Sequence, residues 1–374
     1  MIRILHVIGA MDRGGAETMI MNLYRAVNRD EVQFDFMVHE ERKCDYDEEI
    51  ESLGGRIYRM PRFNGVNLVS YLRGFRRFFA EHDEHPIVHG HIASSAAIYL
   101  REARRAGRFA IAHSHAQNYP LDPAQLAFRV VTYPTRFIAD YFMACSFEAG
   151  RDRYGQKVVS GSSFRVLKNG IDLDQYLCDQ SAHESSKKWL GYGEDTVLIG
   201  HVGRFDPVKN HRFLLDVFSL VKDGVPCARL VLVGRGGQLA EDLKREACER
   251  GLEDAIDFLG VREDIPHILE AFDAFVFPSF KEGLSIAVIE AQASGLPVLM
   301  STGVPQAAAL VDSVVRLPLA EGATRWAQAC IDMLKSSGIR HDRVAEVREH
   351  GFDIEESAQW LEGFYRDRVA AVSG

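Results

Sequence analysis

The sequence predicts an α/β protein with two domains, each a parallel β-sheet covered by helices, that face each other across a cleft. Short apolar stretches alternate with amphipathic helical segments, which is typical of parallel sheets with helices on both faces. The alternation runs twice along the chain, and a turn at 169–172 and a polar stretch at 179–188 separate the two series. The length of 374 residues, with 47% hydrophobic and 26% charged residues, also suits two globular domains.

Each series predicts a Rossmann-like domain. The first contains strands at 2–8, 34–38, 56–58, 87–89, 109–113, 141–144 and 164–167, and helices at 16–27, 68–81 and 96–106. The second contains strands at 197–202, 229–233, 256–259, 274–277 and 297–300, and helices at 211–222, 239–250, 265–271 and 284–294. The strands are short apolar runs bounded by turn residues. We expect the domains to span 1–168 and 169–355, followed by a long amphipathic helix over 354–372.

The composition indicates a cytoplasmic protein. No apolar run reaches the roughly 18 residues that span a bilayer, and the first strand is too short for a signal peptide. The six cysteines are scattered without a C-x-x-C pair, which predicts reduced thiols rather than disulfides or a zinc site. Residues 1–180 are balanced in charge, so the net charge of −9 lies in the remainder, and nucleic acid is not an expected partner.

Two arginine-rich segments in the first half are candidates for contact with an anionic membrane. They contain Arg73, Arg76 and Arg77 among Phe75, Phe78 and Phe79, and then Arg101, Arg104, Arg105 and Arg108. Arginines interleaved with aromatic residues suit the surface of such a membrane. A solvated helix face explains the pattern equally well. Peripheral attachment at the inner face of the cytoplasmic membrane is therefore an open hypothesis.

The segment 274–290 carries the most informative pattern in the chain. An apolar strand leads into a turn that contains Glu282, and a helix follows from about residue 284, with Ser279 or Ser285 as its cap. Glu290 is expected about two turns into this helix. A helix N-terminus favours an anion, and carboxylates beside it accept hydrogen bonds from sugar hydroxyls. The pattern predicts a site for a molecule with phosphates at one end and hydroxyls at the other.

A second loop brings two cations to the end of the first strand of the second domain. Arg204 and Lys209 flank a proline-containing turn there. Two cations at the carboxyl edge of a parallel sheet can bind a diphosphate, and arginine offers a bidentate fork. Solvated surface cations are the alternative, but the position at the sheet edge favours a function.

Glycines and histidines follow the strands of the first domain. Gly14 and Gly15 precede the first helix, where backbone can approach a phosphate, although their spacing is not G-x-G-x-x-G and a plain turn is the alternative. The His-X-His segments at 89–91 and 113–115 each place two imidazoles on one face of an extended chain. No third ligand of the Cys or Asp type lies at a telling spacing, so we assign no metal. His115, just past a strand end, is a candidate active-site residue.

Taken in order along the chain, these motifs resemble those of the retaining glycosyltransferases of family 4, which have the GT-B fold. The resemblance covers essentially the whole length. It depends on the segments 14–17, 169–172, 203–210, 258–260, 282–290 with its E-x7-E signature, and 293–298. Within the family, the chain is most similar to bacterial transferases of capsule, exopolysaccharide or cell-envelope assembly.

The resemblance implies roles for the candidate residues. Glu282 contacts the transferred sugar, Arg204 and Lys209 neutralise the diphosphate, and His115, with His113 as the alternative, lies near the C6 hydroxyl of the sugar. Donor contacts are implied for Gly14, Gly15, Val261, Arg262, Gly283, Leu284, Ser285 and Glu290. Of these, Gly15 approaches the distal phosphate, Glu290 holds the ribose, and 261–262 lie near the base. The last helix, about 356–374, is implied to pack on the first domain.

The implied reaction is transfer of a sugar from a nucleotide diphosphate donor, with uridine diphosphate (UDP) favoured, to a glycan or lipid-linked acceptor. The anomeric configuration is retained by a front-face path, and the departing diphosphate is stabilised electrostatically, so no metal or other cofactor is expected. A sugar-nucleotide epimerase on the same fold and a non-catalytic sugar-nucleotide-binding partner are the alternatives. Product analysis without acceptor separates the epimerase from the transferase.

Overall fold

The chain folds into two compact units. The structure is a computed structural model and describes residues 1–115, 123–176, 180–336 and 340–373. One unit comprises Met1–Gly170 and Ile354–Gly374, and the other comprises Ile171–Asp353. The breaks between units therefore lie two residues after and two residues before the boundaries expected from the sequence.

The first unit is a seven-stranded parallel sheet with the order β3-β2-β1-β4-β5-β6-β7. Its strands are β1 Ile2–Ile8, β2 Val32–Val38, β3 Ile57–Arg59, β4 Ile87–Gly90, β5 Phe109–Ser114, β6 Tyr141–Ala144 and β7 Phe164–Val166. Its helices are α1 Gly15–Ala26, α2 Asp47–Ser52, α3 Leu68–Glu81, α4 Ala96–Arg105, α5 Pro123–Thr132, α6 Phe147–Tyr154 and α7 Gln156–Val159, joined by the C-terminal α15 Ile354–Ser373.

The second unit is a six-stranded parallel sheet with the order β10-β9-β8-β11-β12-β13. Its strands are β8 Val197–Val202, β9 Ala228–Val233, β10 Ile256–Gly260, β11 Ala274–Phe277, β12 Val298–Ser301 and β13 Val314–Leu317. Its helices are α8 Gln180–Trp189, α9 His211–Gly224, α10 Gln238–Glu249, α11 Ile265–Ala271, α12 Ile286–Ala293, α13 Gly322–Ser336 and α14 Val344–Glu349. The predicted class of two α/β domains with parallel sheets is thus confirmed.

Both sheets have buried centres and a reversal of strand order. All seven residues of β2 and all four of β11 are buried, as expected for strands covered on both faces. The chain order reverses between β1 and β4 in the first sheet and between β8 and β11 in the second. Ligands of such sheets bind at this reversal, beyond the carboxyl ends of the strands. No helix in the described part of the chain is both long enough and apolar enough to cross a bilayer.

The polar stretch that separates the two series is largely a helix, α8, which the sequence did not predict. Its polar residues have partners on neighbouring elements of the second unit. The Lys187 ammonium is almost fully buried and lies 2.9 Å from a carboxylate oxygen of Asp273, and the His183 ring hydrogen-bonds the Glu270 carbonyl oxygen at 2.7 Å. Composition alone could not reveal the helix because its stability depends on these distant partners.

Candidate active site

The predicted cations and Glu282 lie at the strand-order reversal of the second unit. The loop 203–210 follows β8, and the loop 278–285 follows β11. These strands are neighbours in the sheet although three α-helices and two strands separate them in the chain. Their carboxyl ends therefore bring together two loops that lie about 70 residues apart in sequence.

Lys209 and Glu282 form an ion pair between these loops. The Lys209 Nζ lies 2.8 Å from Glu282 Oε1, and the two side chains are only 18% and 13% exposed. The ammonium also lies 4.6 Å from the centroid of the Phe277 ring. The short turn Pro207–Lys209 is capped by the Asp206 carboxylate, which accepts a hydrogen bond from the Val208 amide at 2.9 Å. The lysine is thereby held in a fixed position beside the glutamate.

Arg204 is the second cation of this loop and differs from Lys209 in its surroundings. Its side chain is exposed, and among the described residues it has no hydrogen-bond or ion-pair partner. A guanidinium without an internal partner can form a bidentate contact with a phosphate. The loop thus offers one cation held by a carboxylate and one open to solvent.

The loop that carries Glu282 is fixed by backbone hydrogen bonds. The Phe280 amide donates to the Val208 carbonyl at 2.8 Å, and the Glu282 amide donates to the Gly303 carbonyl at 3.1 Å. A Cβ atom on Gly303 would lie 2.3 Å from the Phe280 carbonyl oxygen, so only glycine fits this approach. The Ser301 hydroxyl donates to the Ser279 carbonyl. No sequence pattern indicated these supporting contacts, because they join loops that follow different strands.

The helix after Glu282 begins later than expected. Helix α12 runs over Ile286–Ala293, with Ser285 at the N-cap position but without a capping hydrogen bond from its side chain. Ser285, one of the two predicted cap residues, therefore occupies the cap position, but its hydroxyl makes no capping hydrogen bond. Gly283, Leu284 and Ser285 directly precede the first turn, whose amide groups favour an anion.

Glu290 lies only just beyond the first turn of α12, not two turns into it, and pairs with a residue from a distant part of the chain. The Tyr176 hydroxyl donates a hydrogen bond of 2.8 Å to its Oε1. Burial raises the pKa of Glu290 to about 7, and the hydrogen bond from Tyr176 opposes that rise. No sequence pattern could identify Tyr176 because 114 residues separate the partners.

Val261 and Arg262 follow β10, at the same edge of the sheet. Val261 is 43% exposed. The Arg262 guanidinium is held by Asp264, with Nε 2.7 Å from Oδ1 and a second contact to Oδ2. An exposed apolar side chain beside an immobilised guanidinium is a suitable surface for a planar ring.

The glycine turn of the first unit lies beyond β1, at the reversal of its sheet. Gly14 is the N-cap of α1, and its carbonyl accepts a hydrogen bond of 2.8 Å from the Thr18 amide. A Cβ atom on Gly15 would meet no atom of the described residues within 4 Å. Packing within the described protein therefore does not require a glycine there, and the open space is available to a ligand.

His115 belongs to a group of five histidines, which we call the histidine cluster. Its members are His6, His89, His91, His113 and His115. The His115 Nε2 lies 2.7 Å from His91 Nδ1, and His91 Nε2 lies 2.9 Å from His6 Nδ1. Burial lowers the pKa of His115 to about 4 and that of His6 to about 3, so these rings are neutral near pH 7. The sequence showed two separate pairs, and the sheet brings them together.

The arginine-rich segments do not have the exposed aromatic residues that the membrane hypothesis required. Phe75, Phe78 and Phe79 are buried in the core of the first unit. Glu102 accepts hydrogen bonds from Arg76 at 2.6 Å and from Arg105 at 2.7 Å. This part of the prediction is wrong because the aromatic positions form the inner face of α3.

The family models that match this chain, and a relative that matches nearly all of it, are described as glycosyltransferases. Residues 13–175 match the family model described as Glycosyltransferase Family 4, and residues 196–336 match the one described as Glycosyl transferases group 1. The chain is 35% identical over 372 residues to EpsF of Bacillus subtilis (strain 168), whose name provisionally calls it a glycosyltransferase; this match covers 97% of the chain and 96% of EpsF.

Two further matches have named substrates or ligands. Over 139 residues, 36% of each chain, the protein is 34% identical to the Escherichia coli UDP-Gal:alpha-D-GlcNAc-diphosphoundecaprenol alpha-1,3-galactosyltransferase. The crystal structure of Anabaena HepE in complex with UDP and glucose shares the fold, with a TM-score of 0.79 at 20% identity over 98% of this chain and 100% of HepE.

Proposed function

We propose that this chain, which belongs to the glycosyltransferases of family 4, transfers a sugar from a UDP-sugar donor to a glycan or lipid-linked acceptor. The proposed transfer retains the anomeric configuration of the sugar. The observation that carries the proposal is the placement of Lys209, Glu282 and Arg204 at the strand-order reversal of the second unit. UDP is favoured because one relative is named as using UDP-galactose and a structure of the same fold contains UDP.

The loop 203–210 supplies the electrostatic part of the proposed mechanism. When the bond between the sugar C1 and the diphosphate oxygen breaks, negative charge develops on the diphosphate. Lys209, which Glu282 already holds in position, and Arg204, with the N-terminus of α12, stabilise this charge. In the free protein Glu282 holds the Lys209 ammonium at 2.8 Å. No metal is needed in this scheme because the cations and amides belong to the chain.

Retention follows from the order of the bond changes that we propose. The acceptor oxygen attacks C1 on the face that the diphosphate leaves, and the acceptor proton passes to an oxygen of that diphosphate. Glu282 positions the transferred sugar, Glu290 the ribose, and His115 the C6 hydroxyl. Gly15 leaves room for the distal phosphate because no atom of the described residues lies within 4 Å of the place where its Cβ would be. Among the described residues of this site, Glu282 and Glu290 are not arranged as the acid and base of a hydrolase, since Glu282 is paired with Lys209.

The acceptor is proposed to be a lipid-linked or growing glycan of a bacterial surface polysaccharide. A relative over part of the chain is named for a diphosphoundecaprenol-linked acceptor. The exposed segment 123–137 of the first unit suits contact with the membrane that presents such a lipid. Its exposed apolar side chains are Leu126, Val130, Val131, Tyr133 and Phe137. It contains Arg129 and Arg136 and no acidic residue, which favours an anionic surface.

The decisive test is removal of the Lys209 ammonium. We expect Lys209→Ala to lose transfer by about a hundredfold or more, because the leaving diphosphate loses a preorganised positive charge. Transfer is measured with a panel of UDP- and GDP-sugars and a membrane-lipid acceptor extract. Nuclear magnetic resonance of the wild-type product should show the anomeric configuration of the donor.

Two variants make this test specific. Lys244→Ala removes an exposed lysine that also pairs with a glutamate, Glu241, in the same unit, and it should leave transfer unchanged. Glu282→Gln should lose transfer while circular dichroism stays that of the wild type. Near-normal transfer by a folded Lys209→Ala protein would contradict the assigned site.

A further inference from the structure

The histidine cluster exists because three neighbouring strands carry histidines at matching positions. His6 of β1 lies directly opposite His89 of β4. Strand β4 pairs in turn with β5, with Gly90 opposite Ala112, so the next residues are His91, just past the end of β4, and His113 of β5. Residues two apart in a strand point to the same face. The five imidazoles therefore lie side by side at the carboxyl ends of β1, β4 and β5.

Hydrogen bonds between the rings leave three nitrogens without partners. One row runs from His6 through His91 to His115. In a second row, the His89 Nδ1 lies 2.7 Å from the Tyr365 hydroxyl, and its Nε2 lies 3.1 Å from His113 Nδ1. The buried nitrogens at the row ends have no hydrogen-bond partner among the described residues. They are His6 Nε2, His113 Nε2 and His115 Nδ1.

Each row can be satisfied in two directions, and in one of them the row ends in a lone pair on His115 or His113. A neutral imidazole has one N–H and one lone pair. If His115 donates from Nε2 to His91, its Nδ1 is a buried lone pair. If His113 donates from Nδ1 to His89, which donates to the Tyr365 oxygen, the His113 Nε2 is another. A buried lone pair without a donor is costly in free energy, and a cation satisfies it.

We propose that His91, His113 and His115 form a binding site for a divalent transition-metal ion of the zinc class. One nitrogen from each of these rings lies within 4.8 Å of the other two. Three imidazoles around zinc, with Zn–N bonds of about 2.0–2.1 Å, need nitrogens about 3.3 Å apart, so binding requires the rings to move closer together. Neutral imidazoles select zinc, cobalt, nickel or copper over magnesium or calcium, which prefer oxygen.

A second trio, His6, His89 and His91, meets the same distance criterion but is the poorer candidate. Both trios contain a ring whose two nitrogens already have partners, His89 in the second trio and His91 in the first, so access to solvent decides between them. His6 is 1% exposed and packs against Phe34 with ring centroids 4.2 Å apart, which closes the path to solvent. His91 and His115, in contrast, are partly exposed at the strand ends, where an ion can enter.

The proposed metal site has a consequence for the proposed transfer reaction. His115 cannot bind an ion through a nitrogen that also contacts the donor sugar. Bound zinc is therefore expected to inhibit transfer, and removal of metal is expected to preserve it. Only this consequence depends on the proposed function, because metal binding itself can be measured on the protein alone.

The test is titration of the untagged, metal-stripped full chain with Co²⁺, followed by visible d–d absorption and by elemental analysis after gel filtration. We expect one Co²⁺ per chain, displaced by Zn²⁺. His113→Gln and His115→Gln should each weaken Co²⁺ binding by about tenfold or more, and His341→Ala, which removes an exposed histidine of the second unit, should not. No stoichiometric binding by the wild type, or equal binding by His115→Gln, would overturn the proposal.

Two further measurements make the outcome of the titration unambiguous. Circular dichroism identifies a variant that fails to fold, and His115→Gln, which lies beyond the end of β5, then decides the question without His113→Gln. Transfer assays with Zn²⁺ or with a chelator test the inhibition separately. Stoichiometric Co²⁺ binding without inhibition supports the metal site and counts against the sugar contact of His115.

Discussion

Glu290 is a carboxyl group whose charge depends on its surroundings. It is held by the Tyr176 hydroxyl, and burial raises its pKa to about 7 from the usual 4.5. A carboxylate accepts hydrogen bonds from both hydroxyls of a ribose, whereas a protonated carboxyl must donate one of its own. The ionised form is therefore the one suited to the proposed ribose contact.

We expect UDP to bind roughly tenfold more tightly at pH 8 than at pH 6, because the ionised fraction of a group with a pKa of about 7 rises by that factor. Isothermal titration calorimetry at both pH values measures the affinity for UDP. Glu290→Gln should abolish the part of the pH dependence of UDP binding that Glu290 causes. The ionisation of UDP itself is the same with both proteins, so it cancels when the two are compared. An identical pH dependence in both proteins would refute the ribose role.

The pH dependence of the stability of the fold that Glu290 causes is opposite to that of UDP binding. A carboxyl whose folded pKa is raised stabilises the fold most fully below its unfolded value of about 4.5, and that contribution is lost as the pH rises towards about 7. In the free protein Glu290 thus costs stability at neutral pH. Ligand contacts that favour the carboxylate offset this cost, which links the two effects at one residue.

At the scale of elements, the loops after β11 and β12 support each other. The Glu282 amide donates to the Gly303 carbonyl, and Gly303 lies against the backbone of the same loop. A side chain at 303 has no room because its Cβ would lie 2.3 Å from the Phe280 carbonyl oxygen. Neither backbone can yield without displacing the loop that carries Glu282.

Gly303→Ala should therefore lower the free energy of unfolding by about 1–3 kcal/mol, as overpacking does, and weaken transfer as well. Chemical denaturation and the transfer assay measure the two effects. Gly363→Ala is the matched control, because a Cβ at that helical position meets no atom of the described residues within 4 Å, and it should be neutral or slightly stabilising. If Gly303→Ala behaved like its control, the loops would not support each other as described.

At the scale of the whole molecule, the exposed apolar segment 123–137 is the surface that we expect to meet a membrane. Replacement of Val130 and Phe137, 66% and 70% exposed, by Asp should weaken binding to anionic phosphatidylglycerol vesicles by about tenfold or more. Vesicle flotation measures it, with Leu220→Asp on the second unit as the control. Charge reversal at Arg73 should have little effect. Flotation that is insensitive to the Asp replacements would contradict the proposal.

The last helix shows that a local sequence pattern does not determine where an element packs in the whole molecule. Helix α15 follows the second unit in the chain and belongs to the first. The Tyr365 hydroxyl lies 2.7 Å from the His89 ring, and Arg366 pairs with Glu31 at 2.6 Å. Its amphipathic spacing predicted a helix but not its partner; packing on the first domain was implied by the family resemblance alone, and these contacts show it.

Periodicity and turn residues determined the class of fold, most strands, and the loops that carry Arg204, Lys209 and Glu282, because these are local properties of a few consecutive residues. Tertiary structure alone decided which loops meet. The order reversal between β8 and β11 pairs Lys209 with Glu282, and the one between β1 and β4 aligns His6 with His89. Contacts between residues far apart in the chain depend on strand order, and strand order leaves no signal in the short segments that sequence patterns describe.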